Sequence, residues 1–375
     1  MPLTRRSFLA GCAAPVLAQQ SASQESRPNI ILVVADDLAD WMLGCYGNRE
    51  IRTPNIDELA RAGTRFQNNF VCSPICSASR ATLFTGRVPR QHGIHDFLTP
   101  NPIADPPQGQ KEPPSSFRDE VMISDVLAGA GYNCGYVGKW HMGNDASPQH
   151  AYKYWYTMLG GSSPYQNPRM NWNGTTVEEK GYLPDLITRK SVEFIEQQNA
   201  DRPFFLVTSH FNPHVPYDGH PQKYYDMYAN TKFETIGWEP AAPNALREKE
   251  YLNDIVGNLR KCAASITALD DQIPPLIAAL TRKKLRGNTI VILTGDNGFL
   301  LGRHGLWSKG LASNPINMYE EVVRTPMIWS WLGQIPIEGR RPEMVNFCDV
   351  LPSICEIAGA PAPTGRNLPG RSYAP

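Results

Sequence analysis

The chain has 375 residues, of which 41% are hydrophobic and 19% are charged, so it can bury a sizeable core as one large or two ordinary domains. Thirty-six basic and thirty-six acidic side chains cancel, and no long run carries a single sign. This balance argues against a nucleic-acid partner or an anionic membrane surface, so local groups would have to hold any anionic substrate.

The N-terminus is typical of an export signal of the twin-arginine type followed by a short leader, together residues 1–27. Arg5 and Arg6 precede a short apolar stretch, residues 8–18, which cannot span a bilayer. Cys12 ends a stretch that resembles a lipoprotein cleavage box, but it lies too close to the arginines, so ordinary cleavage is favoured over a lipid anchor. We therefore expect a bacterial periplasmic or extracellular protein with no integral membrane segment after the signal is removed.

Four short apolar runs predict buried strands, and segments of helical period lie between them. The strands are predicted at residues 29–35, 133–137, 204–209 and 289–294. The helices are predicted at residues 54–63, 77–86, 119–130, 185–197, 248–280 and 345–358. Strands that alternate with helices indicate an α/β domain, residues 28–375, around a largely parallel sheet.

Polar side chains follow each predicted strand where it ends. In chain order they are Asp36 and Asp37, then Lys139 and His141, then His214, and finally Asp296 and Asn297. In an open parallel sheet the carboxyl ends of the strands share one edge, and ligands bind there. Three carboxylates and an amide form an all-oxygen set that suits Ca²⁺ or Mg²⁺ better than zinc or copper. With Lys309 added, the pattern predicts a pocket for a small, multiply oxygenated anion.

The stretch VCSPICSASRATLFTGR, residues 71–87, resembles the signature of the type I sulfatases, which belong to the alkaline-phosphatase-like superfamily. That signature is Cys or Ser followed by x-Pro-x-Arg, two residues, Leu, one residue and Thr-Gly. Read from Cys76, the arginine (Arg80), the leucine and the Thr-Gly pair are all in register, whereas none is in register from Cys72. Ala78 replaces the proline, which leaves open whether a formylglycine-generating enzyme or a radical-type maturation enzyme acts on Cys76.

The resemblance extends from about residue 28 to residue 371 through blocks such as GYVGKWHMG, PHVPY, TGDNG and HGLWSKG. It implies an alkaline-phosphatase-like fold, with a large and mostly parallel sheet sandwiched by helices, and a sulfuric ester hydrolase. It also implies that Cys76 is converted to Cα-formylglycine, whose hydrated form supplies the nucleophilic hydroxyl. The last residues, 346–375, resemble the segment that precedes a smaller C-terminal subdomain in the family, most of which we expect this chain to lack.

The resemblance further implies a role for each site residue. A divalent metal, Ca²⁺ in preference to Mg²⁺, would be held by Asp36, Asp37, Asp296, Asn297 and the residue derived from Cys76. Arg80 would orient the formylglycine diol, and Lys139 and Lys309 would bind sulfate oxygens. His214 would contact the substrate and protonate the departing alcohol, and His141 would accept the proton of the second hydroxyl.

Two rival interpretations stay open from the sequence. One is a hydrolase of phosphonate or phosphate esters on the same scaffold, because tetrahedral phosphoryl and sulfuryl groups require similar pockets. The other is a non-enzymatic binding protein in which Cys76 remains a thiol. For the sulfatase interpretation, similarity to glycan-directed members favours a carbohydrate sulfate ester as the substrate.

Overall fold

Ten strands form one sheet between two layers of helices in the computed structural model, which describes residues 27–98, 117 and 119–374. The strands are β1 Asn29–Asp36, β2 Thr64–Phe70, β3 Asn133–Gly138, β4 Tyr154–Met158, β5 Arg169–Trp172, β6 Thr175–Glu178, β7 Phe204–Pro213, β8 Thr289–Gly295, β9 Met327–Ser330 and β10 Gly339–Asn346. The α-helices are α1 Pro54–Arg61, α2 Cys76–Thr85, α3 Pro89–His92, α4 Ile123–Gly129, α5 Leu183–Glu196, α6 Gln222–Asp226, α7 Ile255–Asp270, α8 Ile273–Arg282, α9 Glu320–Val323 and α10 Val350–Ile357. The predicted export signal and Cys12 lie outside the described residues.

The central strand β1 is buried on both faces, and its side chains alternate between two hydrophobic cores. Ile31 and Val33 belong to the core that also contains residues of α1, α5, α7 and α8. Ile30 and Leu32 belong to the opposite core, with residues of α2, α4 and α10. A strand covered by helices on both faces needs a continuous apolar run, and this is why β1 could be predicted from its composition.

The four predicted strands are β1, β3, β7 and β8, and they lie side by side at the centre of the sheet. The strand order is β10-β2-β9-β8-β1-β7-β3-β4-β5-β6. Strands β8, β1, β7, β3 and β4 are parallel to their neighbours within this central block, whereas β9, β5 and β6 pair antiparallel. The α/β class with a helix-sandwiched, largely parallel sheet is confirmed.

The helix predicted at residues 248–280 is wrong as a single element. The structure has a 3₁₀ turn, Lys249–Asp254, then α7, and then α8 as a separate helix. Pro274 and Pro275 follow the first residue of α8, where a missing N–H is tolerated, but inside a helix they would remove hydrogen bonds. The apolar periodicity continued across this break, so only the prolines could have revealed it. Among the described residues, none of the helices has the length and apolarity needed to cross a bilayer.

His210 lies within β7, fully buried, and neither ring nitrogen has a hydrogen-bond partner among the described residues. Burial lowers the pKa of His210 to about 3, because the imidazolium ion would lose its hydration. Since this pKa lies below the ordinary value of 6.5, protons bind preferentially to the unfolded chain as the pH falls. The stabilisation from neutral His210 is therefore fully present above pH 6.5 and is lost progressively toward pH 3.

Replacing His210 with leucine, which has similar bulk and no titrating ring, should flatten the acid limb of the stability curve. Between pH 6.5 and pH 4 the wild type should lose about 3 kcal/mol more unfolding free energy than the variant. Urea unfolding at a series of pH values measures this difference. The exposed His95 is the matched control, and His95→Leu should keep the wild-type dependence. An unchanged acid limb in His210→Leu would contradict the prediction.

Candidate active site

Loops from the carboxyl ends of β1, β3, β7 and β8 meet at one edge of the sheet. Asp36 is the last residue of β1, and Asp296 follows the last residue of β8. Lys139 follows β3, and His214 follows β7. Because these strands are parallel neighbours, their carboxyl ends lie on the same side of the sheet. The structure thus brings the predicted polar residues to one place.

A buried acidic cluster forms the floor of this edge. One ligand atom from each of Asp36, Asp37, Cys76 and Asp296 lies within 4.8 Å of the other three, and all four residues are buried. Asp37 Oδ2 and Asn297 Oδ1 are buried without a hydrogen-bond partner among the described residues. A buried oxygen without a partner is costly, and a cation would satisfy both atoms. Since every donor apart from Cys76 is an oxygen, the cluster fits a hard cation such as Ca²⁺ or Mg²⁺.

Cys76 begins α2 and is only 3% exposed. Its Sγ lies 2.8 Å from Lys309 Nζ and 3.4 Å from Asp36 Oδ1. Burial, reinforced by the Asp36 carboxylate, raises the pKa of the Cys76 thiol well above its ordinary range. The unmodified side chain is therefore held as a neutral thiol.

Two lysines flank the same cluster, each paired with a carboxylate. Lys139 is fully buried and its Nζ contacts Asp36 Oδ2, whereas Lys309 is 14% exposed at its side chain and its Nζ contacts Asp37 Oδ1. Desolvation opposes the charge on Lys309, but Asp37 and the neighbouring anionic groups outweigh it and raise the pKa of the amine well above its usual value. Lys309 therefore carries a full positive charge beside Cys76.

Arg80 lies one helical turn after Cys76 on α2 and is fully buried. Its Nε donates to Asp296 Oδ2 at 2.8 Å, while Nη1 donates to the carbonyl oxygen of Lys139 and to Ser209 Oγ, each at 2.8 Å. Residues four apart lie on one face of a helix, so α2 directs both Cys76 and Arg80 at the site. Arg80 thereby connects α2 to the loops after β3 and β8.

His141 has one ring nitrogen engaged and the other without a partner. Its Nε2 lies 2.7 Å from the carbonyl oxygen of Leu98, so Nε2 carries the proton and donates. Its Nδ1 is buried with no hydrogen-bond partner among the described residues. A Cβ at Gly161 would lie 2.3 Å from Nε2, so this ring position requires glycine there. Burial lowers the pKa of His141 well below its ordinary value, which leaves Nδ1 as a free acceptor.

His214 faces the acidic cluster from the loop after β7. Its Nδ1 donates to the carbonyl oxygen of Val215 at 2.6 Å, and its Nε2 lies 3.8 Å from Asp37 Oδ2. The ring stacks on Phe211, with 4.8 Å between ring centroids. The imidazole is thus held in one orientation with Nε2 toward the cluster.

The other cysteine of the signature stretch has a different neighbour. Cys72 Sγ lies 3.7 Å from Cys348 Sγ, and Cys72 is not part of the acidic cluster. Of the two cysteines in this stretch, only Cys76 has the carboxylates and the lysine beside it.

A cavity of about 370 Å³ opens above the cluster, and its lining includes residues that the sequence did not single out. The predicted residues in the lining are Cys76, His141, His214 and Lys309. The others are Ile75, Phe97, Leu98, Gly161, Ser162, Arg247, Glu248, Ser308 and Leu311. They come from several separate loops, and none forms a spaced motif, so no local sequence signal identifies them.

Comparison with known proteins gives one consistent result. A family profile described as Sulfatase matches residues 28–360. The chain is similar to the uncharacterised sulfatase YidJ of Escherichia coli K12, with 31% identity over 92% of this chain and 70% of that protein. It is also similar to an N-acetylglucosamine-6-O-sulfatase of Bacteroides thetaiotaomicron, with 25% identity over 100% of this chain and 74% of that protein.

Among solved structures, the chain resembles Ps i-CgsB in complex with k-i-k-neocarrahexaose. The TM-score is 0.74 with 28% sequence identity, covering 92% of this chain and 75% of that one.

Replacing Arg80 with methionine should leave Asp296 buried without its cationic partner and lower the unfolding free energy by about 3 to 5 kcal/mol. Urea unfolding in the presence of a chelator measures the loss. Arg61 is the matched control, because it also pairs with a carboxylate, that of Glu58, but on the surface. Arg61→Met should leave the unfolding midpoint unchanged. Equal midpoints for the two variants would show that the buried pair has no special structural role.

Proposed function

The chain belongs to the sulfatase family and hydrolyses sulfate esters, and on that premise we propose that a formylglycine at position 76, a divalent cation and a carbohydrate leaving group complete its reaction. The observation that carries the proposal is the acidic cluster around Cys76, in which Lys309 contacts Cys76 and Lys139 contacts Asp36. Carboxylates suit a cation, and the lysines suit the oxygens of a sulfuryl group. The expected periplasmic or extracellular location and a formylglycine-forming maturation enzyme are part of this proposal.

The proposed cation would be held by Asp36, Asp37, Asp296, Asn297 and the oxygen that replaces Cys76 Sγ. When bound, a divalent cation lowers the pKa of a coordinated hydroxyl and offsets negative charge on neighbouring oxygens. The two partnerless oxygens, Asp37 Oδ2 and Asn297 Oδ1, support this assignment. Ca²⁺ is favoured over Mg²⁺ because the proposed set supplies five protein ligands, and Mg²⁺ usually keeps several of its waters instead of entering such a set.

The state of the Cys76 side chain supports its conversion. A thiol whose pKa is raised by burial is a poor nucleophile, since the thiolate is the reactive form. Hydrated formylglycine would supply one hydroxyl to attack sulfur while the S–O bond to the alcohol breaks. Loss of the proton from its second hydroxyl would then re-form the carbonyl as the C–O bond to sulfate breaks, so no water has to attack sulfur. Arg80 would orient this group, because α2 presents residues 76 and 80 on one face.

The lysines would bind the sulfuryl oxygens. Lys309 Nζ is already 2.8 Å from Cys76 Sγ, so an atom attached to the side chain at position 76 would lie within its reach. Lys139 is fully buried and contacts Asp36 Oδ2, whereas Cys76 Sγ lies near the other oxygen, Oδ1. Charges held in a water-excluded site stabilise a transition state more than they would in water, because they do not have to reorganise.

The two histidines would move protons. His214 points Nε2 toward the cluster from the cavity wall, so it would donate a proton to the departing alcohol oxygen. His141 keeps Nδ1 free because Leu98 fixes the proton on Nε2, so it would accept a proton from the second hydroxyl. Its pKa, lowered by burial, keeps this ring neutral and able to accept.

The proteins to which the chain is similar support a carbohydrate as the leaving group. One relative is named as an N-acetylglucosamine-6-O-sulfatase, and the similar solved structure holds an oligosaccharide. The cavity above the cluster is large enough to hold a sugar ring and combines apolar walls with a few polar groups, as small-molecule sites commonly do.

Replacing Cys76 with alanine should abolish sulfate release, lowering kcat at least about 10³-fold, because the nucleophile is lost. Release of inorganic sulfate from a panel of sulfated sugars measures the loss. Hydrolysis of an aryl phosphonate ester is measured in parallel, because it tests the rival interpretation as a phosphonate ester hydrolase. Cys72→Ala is the matched control and should retain wild-type rates. Mass spectrometry of the wild-type peptide that carries residue 76 should show an aldehyde in place of the sulfhydryl. Full activity in protein that retains this sulfur would overturn the proposal.

Replacing His214 with alanine should reduce hydrolysis in proportion to the basicity of the leaving oxygen. For a sugar sulfate, whose alcohol needs a proton, kcat should fall about 10²- to 10⁴-fold. For an aryl sulfate with a strongly acidic phenol, the loss should be much smaller, since that oxygen can leave as an anion. Rates plotted against the pKa of the leaving group measure the difference. Equal losses across the series would assign His214 to binding alone.

A further inference from the structure

Two adjacent charged residues, Arg247 and Glu248, line the cavity above the acidic cluster and have no role in the proposed reaction. They precede the 3₁₀ turn Lys249–Asp254, on the approach to α7. The cluster and Lys309 would hold the sulfuryl group, so the rest of the cavity lining, which includes both residues, is left for the leaving group.

The backbone and the carboxylate of Glu248 both have features that are common at ligand-binding sites. Its backbone φ is 57°, in the left-handed region that residues with a side chain seldom adopt. One carboxylate oxygen, Oε2, is buried without a hydrogen-bond partner among the described residues, although the carboxylate also interacts with the Ser308 side chain. Strained conformations cluster at ligand sites, where the surrounding fold maintains them. Because Glu248 lines the cavity, its carboxylate is placed to accept a hydrogen bond from a hydroxyl or amine of a ligand there.

Arg247 offers the opposite charge at the cavity edge. Its side chain is exposed, and its guanidinium carbon lies 5.0 Å from the centroid of the Phe97 ring. No carboxylate pairs with Arg247 within the part of the chain that the structure describes. Stacking on an aromatic ring restrains the guanidinium without consuming its hydrogen-bond donors, so it stays available to an anionic oxygen.

Apolar side chains complete the wall between these charges and the floor. Phe97, Leu98 and Leu311 all line the cavity. A sugar ring has an apolar C–H face and a polar edge of hydroxyls, so it could pack on this wall while its edge meets Glu248.

We propose that Arg247 and Glu248 form a leaving-group subsite that selects an acidic sulfated sugar, one with a hydroxyl or amine for Glu248 and a second anionic group for Arg247. This inference rests on the proposed function, because it assumes that a sulfate ester is bound at the cluster. Glu248 shares the cavity wall with His214 and Lys309 and interacts with both electrostatically. The role assigned to Arg247 and Glu248 is to determine which alcohol is brought to the reacting groups.

The experiment compares sulfate release from three esters by the formylglycine-containing protein and its variants. The esters are a monosulfated hexose, the same hexose with a second sulfate, and cyclohexylmethyl sulfate, which has a ring of similar size without hydroxyls. The variants are Arg247→Ala and Glu248→Gln. Their controls are Lys249→Ala and Glu250→Gln, exposed residues of the same charge that do not line the cavity. Thermal unfolding confirms that each variant is folded.

For Arg247→Ala, KM for the disulfated hexose should rise about tenfold or more, while KM for the monosulfated hexose changes less than about twofold. For Glu248→Gln, kcat/KM for both hexoses should fall about tenfold, with little change for cyclohexylmethyl sulfate. Both controls should behave as the wild type.

Two results would overturn this inference and leave the proposed function intact, provided that the wild-type protein releases sulfate. In the first, a variant loses activity equally on all three esters; in the second, neither variant loses activity on any ester. Failure of the wild-type protein to release sulfate from any ester would overturn both.

Discussion

Mutual repulsion within the buried acidic cluster is the constraint on which the rest of the site depends. Asp36, Asp37 and Asp296 lie within a few ångströms of one another, out of contact with water. Like charges at such distances cannot all remain ionised in a protein interior unless cations compensate them. Arg80 and Lys139 supply fixed positive charge, and the pKa of Asp36 is lowered because Lys139 and other cations outweigh its burial.

The same compensation gives the site its chemistry. Two partnerless oxygens remain after the lysines and the arginine have been paired, and they mark where a further cation would bind. Lys309, which neutralises Asp37, also lies beside Cys76, so a sulfuryl group attached there would compete for a positive charge that is already paired. One set of ion pairs therefore contributes both to the stability of the fold and to the reactivity of the site. A substitution that removes one of these pairs should change both properties.

Much of this arrangement could be predicted because the central strands, which carry the site at their carboxyl ends, are parallel. Apolar runs revealed the four central strands, and the rule that ligands bind at their carboxyl ends directed attention to Asp36, Asp37, Asp296 and Asn297. Position 76 follows no predicted strand, so it was identified as the reactive position only by its resemblance to the sulfatase signature. The six flanking strands were missed, since strands such as β6 and β10 are short or largely exposed and lack a continuous apolar run. The subsite at residues 247 and 248 could not be predicted, because its importance comes from a fold that places an irregular segment beside the cavity.

The burial of residue 76 has a consequence for how the protein is made. Its side chain begins α2, is covered by the folded domain, and has Lys309 and the carboxylates packed around it. An enzyme that converted Cys76 would have to reach this side chain, and the folded helix keeps it buried. The conversion that we propose for Cys76 would therefore have to precede closure of the domain, while synthesis and folding leave this segment uncovered. The rate of folding, set by sequence far from position 76, would then determine what fraction of the molecules ever becomes competent.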